Sequence, residues 1–128
     1  MTPTTREWVL KAEGDYDAVC ILRRSRKPTR FDAICFHCQQ CAEKYLKARL
    51  NEAGIPFSKT HDLGTLLALA LPIEPLWAVM DVPLKRLTDY AVVSRYPGTT
   101  ADRRAATDAF QAASRLREFA RNSLGLKM

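Results

Sequence analysis

The chain is expected to be all-α: an antiparallel up-and-down bundle of four main helices plus one short helix. Three observations predict this class. Apolar residues recur at helical spacing through four long segments, Gly and Pro punctuate the gaps between them, and no alternating β-branched run occurs. The 128 residues, 47% of them apolar, suffice for a single domain with a real core and argue against disorder. Short connections imply antiparallel neighbours.

Thr4 or Thr5 is expected to cap the first helix, with Glu7 in its first turn, where the helix dipole favours an anion. Trp8, Ala12, Tyr16, Val19 and Cys20 form its apolar stripe, and Gly14 is tolerated inside it. The run Arg23-Arg24-Ser25-Arg26-Lys27-Pro28 ends it, because cations suit a helix C-terminus and Pro28 cannot continue the helix.

Thr29 is expected to cap a second helix running from about Arg30 to Ala53. Ile34, Cys38, Cys41, Ala42, Tyr45, Leu46 and Leu50 form its apolar face, and Gly54-Ile55-Pro56 stops it. Thr60 is expected to cap a short third helix from His61 to Ala70, which Pro72 and Pro75 follow. A fourth helix is expected from about Glu74 to Ser94, carrying Leu76, Trp77, Met80, Leu84, Leu87, Tyr90, Ala91 and Val92. Pro83 lies inside it and predicts a kink or a late start near Val82.

Tyr96-Pro97-Gly98-Thr99 reads as a turn, since Pro pre-sets φ and Gly accepts a positive φ. Thr99 or Thr100 is expected to cap the fifth helix, with Asp102 in its first turn. Ala105, Ala106, Ala109, Phe110, Ala113, Leu116, Phe119 and Ala120 face inward until Gly125 stops it.

The net charge of +6 favours an anionic partner such as RNA, a nucleotide or an acidic protein. No apolar run approaches the roughly 18 residues that span a bilayer, so no membrane role is expected. The N-terminal stretch carries no apolar leader, and a cytoplasmic location is expected. Reduced thiols fit that compartment.

Cys35, Cys38 and Cys41 resemble a metal motif only in spacing. On a regular helix they spread over roughly 120° and climb about 9 Å, so they cannot converge on one ion. A core role is expected, with no metal and no cofactor. Arg30 and His37 lie two turns apart on one face, which continues through Cys41, Lys44 and Ala48, with Gln40 and Lys47 flanking. An arginine fork holds phosphate and a histidine moves protons near neutral pH, but a solvated basic face explains the same pattern. His61 and Asp62 sit at a helix start, where capping is the simpler role. Arg95-Tyr96 ends the fourth helix, where Arg95 is placed for an anion. Arg103, Arg104, Arg115, Arg117 and Arg121 read as a solvated charged face.

Several segments, taken in order, resemble the HEPN domain family of prokaryotes and higher eukaryotes. They are Trp8 with Ala12 and Asp15, the run from Phe36 to Ala48 (FHCQQCAEKYLKA), Thr60-His61-Asp62-Leu63, and Arg95-Tyr96-Pro97. The resemblance covers about residues 5 to 122 within one domain, 1–128. It implies a helical bundle that commonly forms a homodimer and is often paired with a minimal nucleotidyltransferase as a toxin–antitoxin-like couple. Active members are metal-independent ribonucleases with an Arg-x(4–6)-His motif near the start of a late helix. Here no histidine follows Arg95, and Arg30-x(6)-His37 lies in the second helix, not the late one.

The resemblance therefore implies a nucleotide- or RNA-binding module more than an enzyme. The candidate site residues are His37, Gln40, Lys44, His61, Asp62, Arg95 and Tyr96, with His37 and His61 the catalytic candidates. A metal-independent ribonuclease toxin and a purely structural dimerisation domain are the alternatives.

Overall fold

The computed structural model describes residues 1–128. It has five α-helices and one 3-10 segment: α1 (Pro3–Arg24), α2 (Arg30–Glu52), α3 (Leu63–Ala70), the 3-10 turn Pro75–Met80, α4 (Asp81–Val93) and α5 (Arg103–Ser123). There are no strands, as the periodicity predicts. No helix is long and apolar enough to cross a membrane.

α2 is the central element and packs against α1, α3, α4 and α5. Its direction sets the others. Asn51 near its end donates to Thr5 of α1, and Lys44 reaches Asp15, so α1 runs antiparallel to it. Arg49 bonds Glu74, while Arg95 lies over Phe36, so the chain from the 3-10 turn through α4 also runs against α2. Tyr90 of α4 meets Asp108 of α5, and α5 runs back beside α2. This is the expected up-and-down order, with the short α3 packed against α2 and α4.

The helix stops are those the glycines and prolines predict. Gly54 has φ 71°; its amide donates to Asn51 and that of Ile55 to Leu50, the double bond of a Schellman end. Gly125, with φ 73°, closes α5 in the same way through Leu126 and Arg121. Gly98 takes φ 85° in the turn closed by the Thr99 amide on the Tyr96 carbonyl.

The helix starts differ from expectation. α1 is capped by Thr2, which accepts from the Thr5 amide, and Pro3 opens the helix. Proline fits there because the first amides have no intrahelical partner. Thr4 and Thr5, expected to cap α1, lie inside the helix, and the buried Thr5 hydroxyl instead accepts from Asn51. α3 is capped by Asp62 and not by Thr60; Thr60 instead accepts from the Asp62 amide one step upstream. α5 is capped by Asp102, not by Thr99 or Thr100. At both places a carboxylate outcompetes a nearby hydroxyl, since its charge also suits the dipole.

The expected fourth helix divides at Met80. Residues 75–80 form a 3-10 segment and the α-helix begins at Asp81, putting Pro83 in the first turn, where its missing N–H costs nothing. The tighter winding has a consequence for the core. In a 3-10 segment residues i and i+3 eclipse, so Trp77 and Met80 share the inward edge and are buried. Leu76, expected on the apolar face, and Val79 share the outward one, with Leu76 84% exposed. Val92 also points outward near the end of α4.

One ionic cluster joins the three long helices. Arg117 of α5 grips Glu13 of α1 through two bonds of 2.7 and 2.8 Å. Tyr45 of α2 donates to the same carboxylate, and Arg121 donates to the Tyr45 hydroxyl at 3.1 Å. Arg117 and Arg121 are therefore mostly buried and not the solvated face expected of them. Burial opposes the charge of Glu13, but the bonds from Arg117 and Tyr45 and the two guanidinium charges outweigh it and lower its pKa.

Two predictions follow from this packing. Met80→Ala should cost about 2–5 kcal/mol, and Leu76→Ala less than about 0.5 kcal/mol, in urea unfolding; equal costs would contradict the 3-10 register. Because the folded Glu13 pKa lies below its unfolded value near 4.5, its stabilisation is complete above that value and disappears as pH falls through the folded one. The stability gap between wild type and Glu13→Gln should thus stay constant from pH 7 to about pH 5 and narrow only below that, in unfolding curves taken down to about pH 3.

Candidate functional site

α2 carries polar side chains into a bundle interior, and each must find a partner there. They do so around two carboxylates. The first is Asp15 of α1, whose side chain is 11% exposed. Its Oδ1 lies 2.8 Å from His37 Nδ1, and its Oδ2 accepts from Lys44 Nζ at 2.5 Å. His37 and Lys44 are seven residues apart, so one carboxylate spans two turns of α2. Facing a carboxylate, Nδ1 is assigned the proton, which leaves Nε2 as the ring nitrogen open to a ligand.

Next to His37 is an exposed aromatic–cation pair. The Phe36 ring stands edge-on to His37 with centroids 5.1 Å apart, and the Arg95 guanidinium lies 5.1 Å from the Phe36 centroid. Arg95 has no acidic partner, and Tyr96 beside it is 64% exposed. The segment following α4 is thus brought against the early part of α2, and His37 and Arg95 fall on either side of Phe36. Lys44 joins His37 through Asp15, with its charge already matched.

The second carboxylate is Glu43, whose side chain is 5% exposed. It bonds Lys47 at 3.0 Å, His61 Nδ1 at 2.8 Å and Gln39 Nε2 at 3.2 Å. Gln39 also donates to the His61 carbonyl at 2.7 Å and accepts from Gln40 at 2.8 Å. The Lys47 ammonium sits 5.5 and 5.8 Å from the Trp8 and Phe57 ring centroids. This network docks the loop before α3 onto α2. Gln40 leans towards it, and the His61 ring is held at one nitrogen while 73% exposed.

The seven candidates are therefore not one site. His37 and Lys44 meet at Asp15, and Arg95 joins His37 at Phe36, while Tyr96 is exposed beside Arg95 in the chain. Gln40 and His61 belong to the Glu43 network. Asp62 is engaged by its own helix, accepting from the Gly64 amide and the Thr65 hydroxyl. Asp15, Phe36, Gln39 and Glu43 complete these clusters and were not among the candidates. A signal for Asp15 does exist in the sequence: it lies between Ala12 and Val19 on the apolar stripe of α1, where a carboxylate demands a partner.

Cys35, Cys38 and Cys41 are fully buried core residues. Burial pushes the Cys35 thiol up to about 12 and raises the other two as well, so all three are held as neutral, unreactive thiols.

A family model described as HEPN domain matches residues 5–123 of the chain. No curated protein and no solved structure matches it.

Removing Glu43 leaves the Lys47 ammonium, 8% exposed, without its counter-ion. Glu43→Ala should therefore cost about 3–5 kcal/mol, whereas the pair Glu43→Leu with Lys47→Met should cost clearly less than that. Urea unfolding of both variants checks this, and a double variant as unstable as the single one would rule it out.

Proposed function

The chain belongs to the HEPN domain family, and on that premise we propose that it is a nucleotide- or RNA-binding module acting with a minimal nucleotidyltransferase as a toxin–antitoxin-like pair in the cytoplasm. Family membership supports a nucleotide- or RNA-related role in general; the finer reading is ours. The observation that carries it is Arg95 without an acidic partner, laid over exposed Phe36 beside His37. A guanidinium offers phosphate a fork, an exposed aromatic offers a base a stacking surface, and His37 Nε2 offers a further hydrogen bond. These are the elements of single-stranded nucleic-acid binding, and the +6 charge would steer an anionic strand towards them.

A second reading, a metal-independent ribonuclease, has one observation in its favour. Asp15 holds His37 by Nδ1 and leaves Nε2 outward, an arrangement suited to moving a proton from a 2′-OH. Against it stand the missing late Arg-x(4–6)-His motif and the Lys44 charge on the same carboxylate. Two copies of the chain forming a homodimer fit either reading.

Binding of a short fluorescent oligoribonucleotide tests the proposal. Arg95→Ala should weaken it about tenfold and reduce the slope of log affinity against log salt by about one. Binding unaltered by this substitution, or independent of salt, would remove the argument for this site. Expressing the wild type and His37→Ala in cells and following total RNA separates the two readings. Intact RNA with both is expected; fragmentation that depends on His37 would establish the enzyme instead. Co-purification of a co-expressed nucleotidyltransferase encoded beside the gene tests the partner.

A further inference from the structure

A second group of cations converges where α1 ends and α2 and α5 begin. Arg23, Arg30 and Arg103 come from these three helices and line one cleft of about 140 Å³. Its remaining walls are Phe31, Ile34, Ala106 and Thr107, so no acidic side chain lines it. Ile34 and Ala106 are buried and form an apolar floor. None of the three arginines has an ion-pair partner.

The nearby acids are committed elsewhere. Asp32 accepts from the Ala101 amide at 2.6 Å and ties down the segment before α5, and Asp102 caps that helix. Three like charges at one cleft repel each other, and something must hold them there. Aromatic rings do: Arg23 lies 3.7 Å from the Phe110 centroid, and Arg30 and Arg103 lie 4.1 and 5.5 Å from that of Phe31. Arg30 is fixed further by donating to the Lys27 carbonyl at 2.9 Å. The guanidiniums are thus placed in advance, which lowers the entropy lost on binding an anion. Guanidinium forks match phosphate oxygens, and two further positive helix ends, those of α2 and α5, lie at the same end of the bundle.

We propose that this cleft binds a terminal phosphomonoester of a nucleotide or oligonucleotide. A terminal phosphate carries close to two charges at neutral pH, against the single charge of a diester linkage, and so answers three guanidiniums better. The closed apolar floor favours a group that enters end-on over a strand that must leave on both sides. Arg30 and His37 are seven residues apart on α2, about 10 Å along its axis. A phosphate end seated at Arg30 therefore lies on the same face of α2 as His37, about two turns away. The inference rests on the reading of the chain as a nucleotide-related module for what bears the phosphate, but the cleft is testable without it.

The experiment compares one oligoribonucleotide sequence with a 5′-phosphate, a 3′-phosphate or hydroxyls at both ends, using the full chain. Wild type should bind one phosphorylated form about tenfold more tightly than the unphosphorylated one, the scale of a charge-assisted set of bonds. Arg103→Ala and Arg23→Ala should abolish that preference, and Arg103→Lys should restore it only in part. Arg95→Ala should instead weaken all three oligonucleotides alike, with the preference retained. Thermal melts confirm that each variant folds. Equal affinity for all three oligonucleotides in wild type, or a preference that survives Arg103→Ala, overturns the inference.

If no oligonucleotide binds, the function proposed above fails, and pyrophosphate then tests the cleft by itself. Thermal stabilisation of wild type by pyrophosphate that is absent in Arg103→Ala upholds the anion site; no stabilisation of wild type overturns it.

Discussion

Everything in this bundle is arranged around a central helix that is buried on most sides and yet polar. α2 brings Gln39, Glu43, Lys44 and Lys47 into contact with its neighbours, and none of these groups can be left unpaired in the interior without a large cost. Glu43 pairs with Lys47 and Gln39 within α2, and the other partners come from outside it: Asp15 of α1 for Lys44, and His61 of the loop before α3 for Glu43, while Glu13 of α1 and Arg121 of α5 take the Tyr45 hydroxyl. Hydrophobic burial supplies the bulk of the driving force. The ionic contacts select the register, because sliding α1 by one turn would separate Asp15 from both His37 and Lys44 and Glu13 from Tyr45.

The same chain divides its arginines by task. Arg117 and Arg121, deep in the bundle, are neutralised by Glu13 and serve the fold. Arg23, Arg30, Arg95 and Arg103 gather near the opposite end, with rings instead of carboxylates against them. An arginine stacked on an aromatic keeps its charge available, whereas one bonded twice to a carboxylate does not.

The helices were legible because their signals are local. A C′ glycine needs only its own positive φ, as at Gly54 and Gly125, and a stripe such as Ala106, Ala109, Ala113 and Leu116 needs only its own period. The starts were less legible, since Thr99, Thr100 and Asp102 all have capping chemistry and the choice among them depends on where the chain turns. That turn is held by Asp32, 69 residues away from Ala101. The site was less legible again. His37 and Lys44 share a face by spacing alone, but the carboxylate between them lies 22 residues before His37 on another helix. His61 and His37, similar as letters, are sorted into different networks by Glu43 and Asp15.

By itself the sequence determined the fold class, the number of the helices and their limits to within a turn except at the start of α4, the buried thiols and the membership of the HEPN domain family. Periodicity, helix stops and side-chain volume are properties of short stretches, and a short stretch carries them wherever it is placed. Only the tertiary structure decided which charges are spent and which are free. A guanidinium on α5 is a structural ion or a binding group according to whether Glu13 or Phe31 stands opposite, and that depends on the packing of three helices together. The winding of residues 75–80 was decided there too: Trp77 and Met80 reach the core in a 3-10 register that leaves Leu76 in solvent.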